Sequence, residues 1–227
     1  MKHIKSQAIF ERYTKLDSAA NKMLGDTFRK WVLDFQNGNK SSNFSFSLES
    51  PGLTFDLEAA IYFKGKGFEV LPSTGADGRD EDDEGDWQDP FIHIDFACNP
   101  EWLPTYWEDI YFHLADVLRH EIEHITQDGI DIGNYRKGKP DAPDDEMRAL
   151  IQMGLLPKYN YLLLPKEVDA NLQGLRFEAK KRKERTIDAV NRYLDSKEDM
   201  GEIDSTEREL VLGKWHARAK HLGFKLN

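Results

Sequence analysis

From Ser6 to about Phe35 the apolar side chains recur at steps of three and four: Ile9, Tyr13, Leu16, Ala20, Met23, Leu24, Phe28, Trp31, Val32 and Phe35. That spacing puts one continuous apolar stripe on a single long helix, and such a stripe must be covered by something equally apolar. Asn37-Gly38-Asn39 stops the helix, because Gly and Asn accept the left-handed backbone found at helix ends. The stripe is expected to pack on the chain's own core, with docking of a partner protein as the alternative. The expected organisation is residues 1–40 as an N-terminal amphipathic helix packed on a domain formed by residues 41–227.

Composition narrows the function classes. The 227 residues hold 31 Lys+Arg against 41 Asp+Glu, a net charge of −10, whereas affinity for phosphate needs clustered positive charge. Nucleic acid is therefore not an expected partner. At 39% hydrophobic and 11% aromatic the chain can bury a core. Its one cysteine, Cys98, excludes an intramolecular disulfide and suits a reducing interior. The N-terminus has no apolar stretch of signal-peptide length, and no run of some 18 uncharged apolar residues occurs. A soluble cytoplasmic protein with no membrane association is expected.

After the first helix come short stretches of strand character at 43–48, 53–63, 67–71 and 91–98, parted by Pro51-Gly52, Gly65-Lys66-Gly67 and an acidic loop. In the last stretch Ile92, Ile94 and Phe96 alternate with His93 and Asp95, which describes a half-buried strand. The loop from Asp77 to Asp89 opens like an EF-hand, but its twelfth position is Phe91 where a bidentate Glu is required, so it reads as a solvated acidic loop. Helical spacing resumes from Pro104 to Gln127. A turn-rich stretch, 131–145, precedes a short helix over 146–153. Pro165 then opens a long helix, and a final helix spans 205–222. Helix, strands, then helices is an α+β order.

The chemistry concentrates in Leu118-Arg119-His120-Glu121-Ile122-Glu123-His124-Ile125. His120 and His124, four apart on a helix, project their imidazoles from one face, one turn above the other, at a separation able to grip a single zinc ion. Glu121 lies beside that face and can act as the general base toward metal-bound water; the pattern is H-E-x-x-H. Leu114, Val117, Leu118, Ile122 and Ile125 mark a buried helix, on which two His and a Glu need partners. Two hydrogen-bonded core histidines beside an exposed glutamate are the structural alternative.

Catalytic zinc usually takes three protein ligands and keeps a fourth position open. The first candidate for the third ligand is Glu167, because Ala170, Asn171 and Gly174 surround it with small side chains that permit close helix approach. Asp128 competes, four residues beyond His124, although Gly129 breaks the helix there and one helix alone can hardly surround an ion.

With H-E-x-x-H on one helix and a glutamate on a later one, the chain resembles the zincin metallopeptidases of the gluzincin-like branch. Glu167-Val168-Asp169-Ala170-Asn171 resembles the E-x-x-A-N segment of the ImmA/IrrE-like peptidases, and phage-encoded peptidases carry similar pairs. The resemblance spans roughly Phe91 to Gly174. It implies a zincin-like core, a small mixed sheet with Phe91–Cys98 as edge strand beside the active-site helix, and an extended peptide or protein as substrate. It also implies His120, His124 and Glu167 as zinc ligands and Glu121 as base.

Asp116 or Asp169 could orient a ligand imidazole, with a solvated acid as the commoner role, and Tyr159, Tyr161 or His93 could supply an oxyanion donor, with packing as the alternative. The basic run Arg176 to Arg185 interleaves with Glu178 and Glu184, as a solvated, ion-paired face does. Zinc-dependent peptide-bond hydrolysis is thus the leading expectation. The alternative is a non-catalytic structural or interaction module, part of a larger phage assembly, that keeps the zincin fold.

Overall fold

Two helices with apolar stripes at 3.6-residue spacing dominate the first part of the chain, and four shorter ones dominate the last. The computed structural model describes residues 2–37, 41–50, 53–63, 68–75, 91–98, 103–127 and 142–226. They divide into two units, residues 1–135 and 136–227. Asp128 and the acidic loop lie outside the described residues.

In the first unit α1 (Lys2–Gln36) is followed by β1 (Ser41–Ser50), β2 (Leu53–Phe63), β3 (Phe68–Gly75), β4 (Phe91–Cys98) and α2 (Leu103–Gln127). The strands pair in the order β1-β2-β4-β3. β1 runs antiparallel to β2 with Phe44 opposite Ala59, β2 parallel to β4 with Ala59 opposite Ile94, and β3 antiparallel to β4 with Val70 opposite Phe96. Leu16, Met23, Leu24 and Trp31 of α1 are buried, as are Ile110, Leu114, Leu118 and Ile122 of α2. Phe28 clasps the two helices, meeting Trp107 and Tyr111 edge to face at 5.0 and 5.1 Å. A second tie is ionic. Arg119, with 0% exposure, reaches Glu123 at 2.9 Å and Asp17 of α1 at 3.2 Å, which fixes the turn of α2 that carries His120.

In the second unit α3 (Ala142–Gln152) leads through a 3-10 turn (Lys158–Leu163) to α4 (Pro165–Arg182), α5 (Thr186–Asp199) and α6 (Ser205–His221). α3 takes Pro143 into its first turn, so it starts inside the stretch expected to be turn-rich. Pro165 does open a helix, but Lys183 adopts left-handed backbone (φ 58°) and ends it, so that a separate α5 follows. Asp204 caps α6 in a reciprocal box with Glu207. Leu172, Leu175, Val190, Leu194, Val211 and Trp215 form the core of this unit, and the Trp215 indole N–H donates to the Leu162 carbonyl at 2.8 Å.

The expected fold class, α+β and zincin-like around a small mixed sheet, requires correction. Among residues whose side chains are described, 82% are helical and strand is confined to Ile92, His93 and Ile94, so helices supply most of the described core, with Ile92 and Ile94 of β4 buried beside them. The physical reason is the length of the 3.6-residue stripes: helices with such stripes bury them against each other, and the second unit is built entirely that way. The expected edge position of Phe91–Cys98 is also wrong. That strand lies between β2 and β3, so both its backbone edges are paired within the chain.

Candidate metal centre

The apolar face of α2 sets the site, because burying Leu118, Ile122 and Ile125 fixes the rotation of the helix and therefore the direction of the residues between them. His120 and His124 come together one turn apart on that helix, both half-buried. Their Nε2 atoms are 3.0 Å apart and their rings are nearly perpendicular, at 77°. The His124 Nδ1 meets the Gln127 side-chain oxygen at 3.1 Å. That contact is within hydrogen-bonding distance and restrains the orientation of the His124 ring. The two ring nitrogens meet at hydrogen-bonding distance, and two imidazoles one turn apart on a helix are also able to serve as two ligands to a soft-to-borderline cation. Glu121, between them in sequence, is 6% exposed.

Glu167 stands in the first turn of α4, in the second unit, where helix N–H groups favour an acid. Its side chain is almost fully buried and ion-paired with Arg148 of α3, Nη2 to Oε1 at 2.6 Å. The Arg148 guanidinium lies 5.0 Å from the centre of the Tyr161 ring. Burial opposes the charge on Arg148, yet hydrogen bonding to Glu167 and Tyr161 outweighs it and leaves the guanidinium pKa above its ordinary value. Burial, followed by the charge of Glu167, pushes the Tyr161 phenol up, against the opposing hydrogen bond from Arg148. Asp144 of α3 accepts from the Lys166 backbone N–H at 3.4 Å, serving an end of α4 that has no side-chain cap of its own. Around Glu167 the small-residue face is as expected: Ala170 and Gly174 are buried, and the Asn171 amide donates to the Glu167 carbonyl at 2.8 Å.

The supporting residues fall differently. Asp169 forms a two-pronged pair with Arg218 of α6 at 2.6 and 2.5 Å, a clamp inside the second unit. Asp116 is half-buried on α2, one turn before His120. Tyr159 packs against the second unit's core, and His93 is half-buried in β4. In the basic run, Arg182 pairs with Glu178 at 2.6 Å, and Arg192 from α5 bridges Glu178 and Glu184. Sequence reasoning missed Gln127 and Arg148. The first was findable, since three residues after His124 is the same helix face; the second was not, since 19 residues separate it from Glu167.

No protein-family model, curated protein or solved structure matches this chain. Among the described residues no helix is long and apolar enough to cross a membrane.

Proposed function

We propose that this chain is a zinc-dependent peptidase in which His120, His124 and Glu167 hold the ion and Glu121 is the general base. The observation that carries the proposal is the 3.0 Å approach of the two Nε2 atoms, with His124 oriented by Gln127, on the helix that also buries Glu121. Two imidazoles and a carboxylate, one ligand atom from each residue, are a donor set that suits catalytic zinc. When bound, zinc supplies Lewis acidity that polarises a substrate carbonyl and makes water more acidic.

The chain's own residues account for the rest. Glu121 takes a proton from the attacking water and passes it to the departing amine, so the peptide bond is hydrolysed with no net change at the carboxylate. Gln127 restrains the orientation of the His124 ring. Motif-level resemblance to the ImmA/IrrE-like peptidases supports a peptide or protein substrate, and the single cysteine supports an intracellular setting.

The test is digestion of a peptide library by zinc-loaded wild type and Glu121→Gln. The variant should keep one zinc per chain and lose cleavage by about 100-fold or more. Zinc bound with no Glu121-dependent cleavage would favour a non-catalytic metal-binding module. Zinc kept by Glu167→Ala but lost by Asp128→Ala would move the third ligand to Asp128.

A further inference from the structure

Glu167 is an acid buried to 3% exposure in a helix end, and a buried carboxylate is tolerated only when its charge is matched. Arg148 matches it within the second unit, at 2.6 Å to a single oxygen, Oε1, and lies 5.0 Å from the centre of the Tyr161 ring. Three elements therefore meet around this pair: α3, the 3-10 turn and the start of α4. Arg148 itself is a third exposed and leans over a Tyr161 ring that is 40% exposed, so its charge stays in contact with solvent while its partner does not.

We propose that Arg148 is the positioning residue of the metal centre: it balances and fixes the Glu167 carboxylate by one oxygen independently of the metal, so that the second unit stays folded through metal loss and uptake. The proposal rests on Glu167 being a zinc ligand, as argued above. It follows that zinc and Arg148 share one stabilising task. Removing Arg148 takes away a counter-charge that a bound ion would then replace, and makes the unit more dependent on the metal.

The test is thermal melting of the full chain, stripped of metal by a chelator and again with zinc added, for wild type, Arg148→Met and Arg148→Lys. Metal-free Arg148→Met should melt roughly 5–10 °C below metal-free wild type. Zinc should raise its melting temperature by more than it raises wild type, and Arg148→Lys, which keeps the charge, should stay near wild type in both states. Equal zinc-induced gains in wild type and Arg148→Met, or an unchanged metal-free melting temperature, overturn the proposal.

Should Arg148→Met fail to fold, the double variant Arg148→Met/Glu167→Gln decides. It removes both charges and should melt closer to wild type; a double variant no better than the single overturns the proposal. If zinc fails to shift wild type while the double variant still rescues the single one, the metal reading itself has failed. Arg148 is then only half of a structural ion pair, which also overturns the positioning role.

Discussion

Arg119 precedes His120 and has no exposed surface, so Arg119→Met is the sharpest test of how α2 is held. The substitution nearly preserves volume and takes a counter-charge from two acids: Glu123, 6% exposed and 2.9 Å away, and Asp17, 21% exposed and 3.2 Å away. Breaking a buried pair from one side costs about 3–5 kcal/mol. Asp17 can turn toward water, which places the expected loss near the lower end, at about 3 kcal/mol. That corresponds to roughly 150-fold faster exchange of amides that open with the pair, since each 1.4 kcal/mol is tenfold. The assay is hydrogen exchange followed by mass spectrometry on the intact chain. Peptides from 14–34 and 103–127 should lose protection while those from α4 to α6 change little. Combining Arg119→Met with Glu123→Leu and Asp17→Asn should return most of it, because an apolar replacement of a whole buried ion group is close to neutral. Unchanged exchange in α1 and α2 on Arg119→Met alone would refute the reasoning.

Three further predictions concern the second unit. Trp215→Phe removes the donor to the Leu162 carbonyl in a fully buried site and should cost about 1–3 kcal/mol in a denaturant melt, mostly from the stranded acceptor. Lys183→Gly relieves the left-handed backbone between α4 and α5 and should raise stability by about 0.5–1 kcal/mol; a loss would show that the Lys183 side chain contributes more than the strain removed. Asp188 is held below the ordinary aspartate pKa by hydrogen bonds from Arg185. A depressed acid stabilises the fold above its unfolded-state value, and that contribution disappears as pH falls through the folded value. NMR titration of the Asp188 carboxyl should therefore show a midpoint below the usual range that moves up in Arg185→Gln.

What the sequence made legible was local. The stripe over 6–35 is α1, the H-E-x-x-H segment is the buried C-terminal half of α2, and Ile92 and Ile94 are fully buried with His93 half-exposed between them. Each depends on a period of two or 3.6 that the chain writes along itself. The position of Phe91–Cys98 inside the sheet was not legible, because alternation fixes the two faces of a strand and says nothing of its two edges. Nor was the dominance of helix in the core, which depends on which stripes find each other. The break at Lys183 was hidden for a different reason: the left-handed residue is a lysine where a glycine would have announced it. At the site, the residue types and their spacing on one helix were readable. The Arg148 partner of Glu167 was not, since it reaches Glu167 only through the packing of α3 beside α4.

The central claim is most directly tested by zinc-edge X-ray absorption on the zinc-loaded full chain. One tightly held zinc per chain, with two imidazoles and oxygen ligands at about 2.0–2.1 Å, is the predicted result. A spectrum without imidazole scattering, or a chain that retains no zinc after buffer exchange, would contradict it.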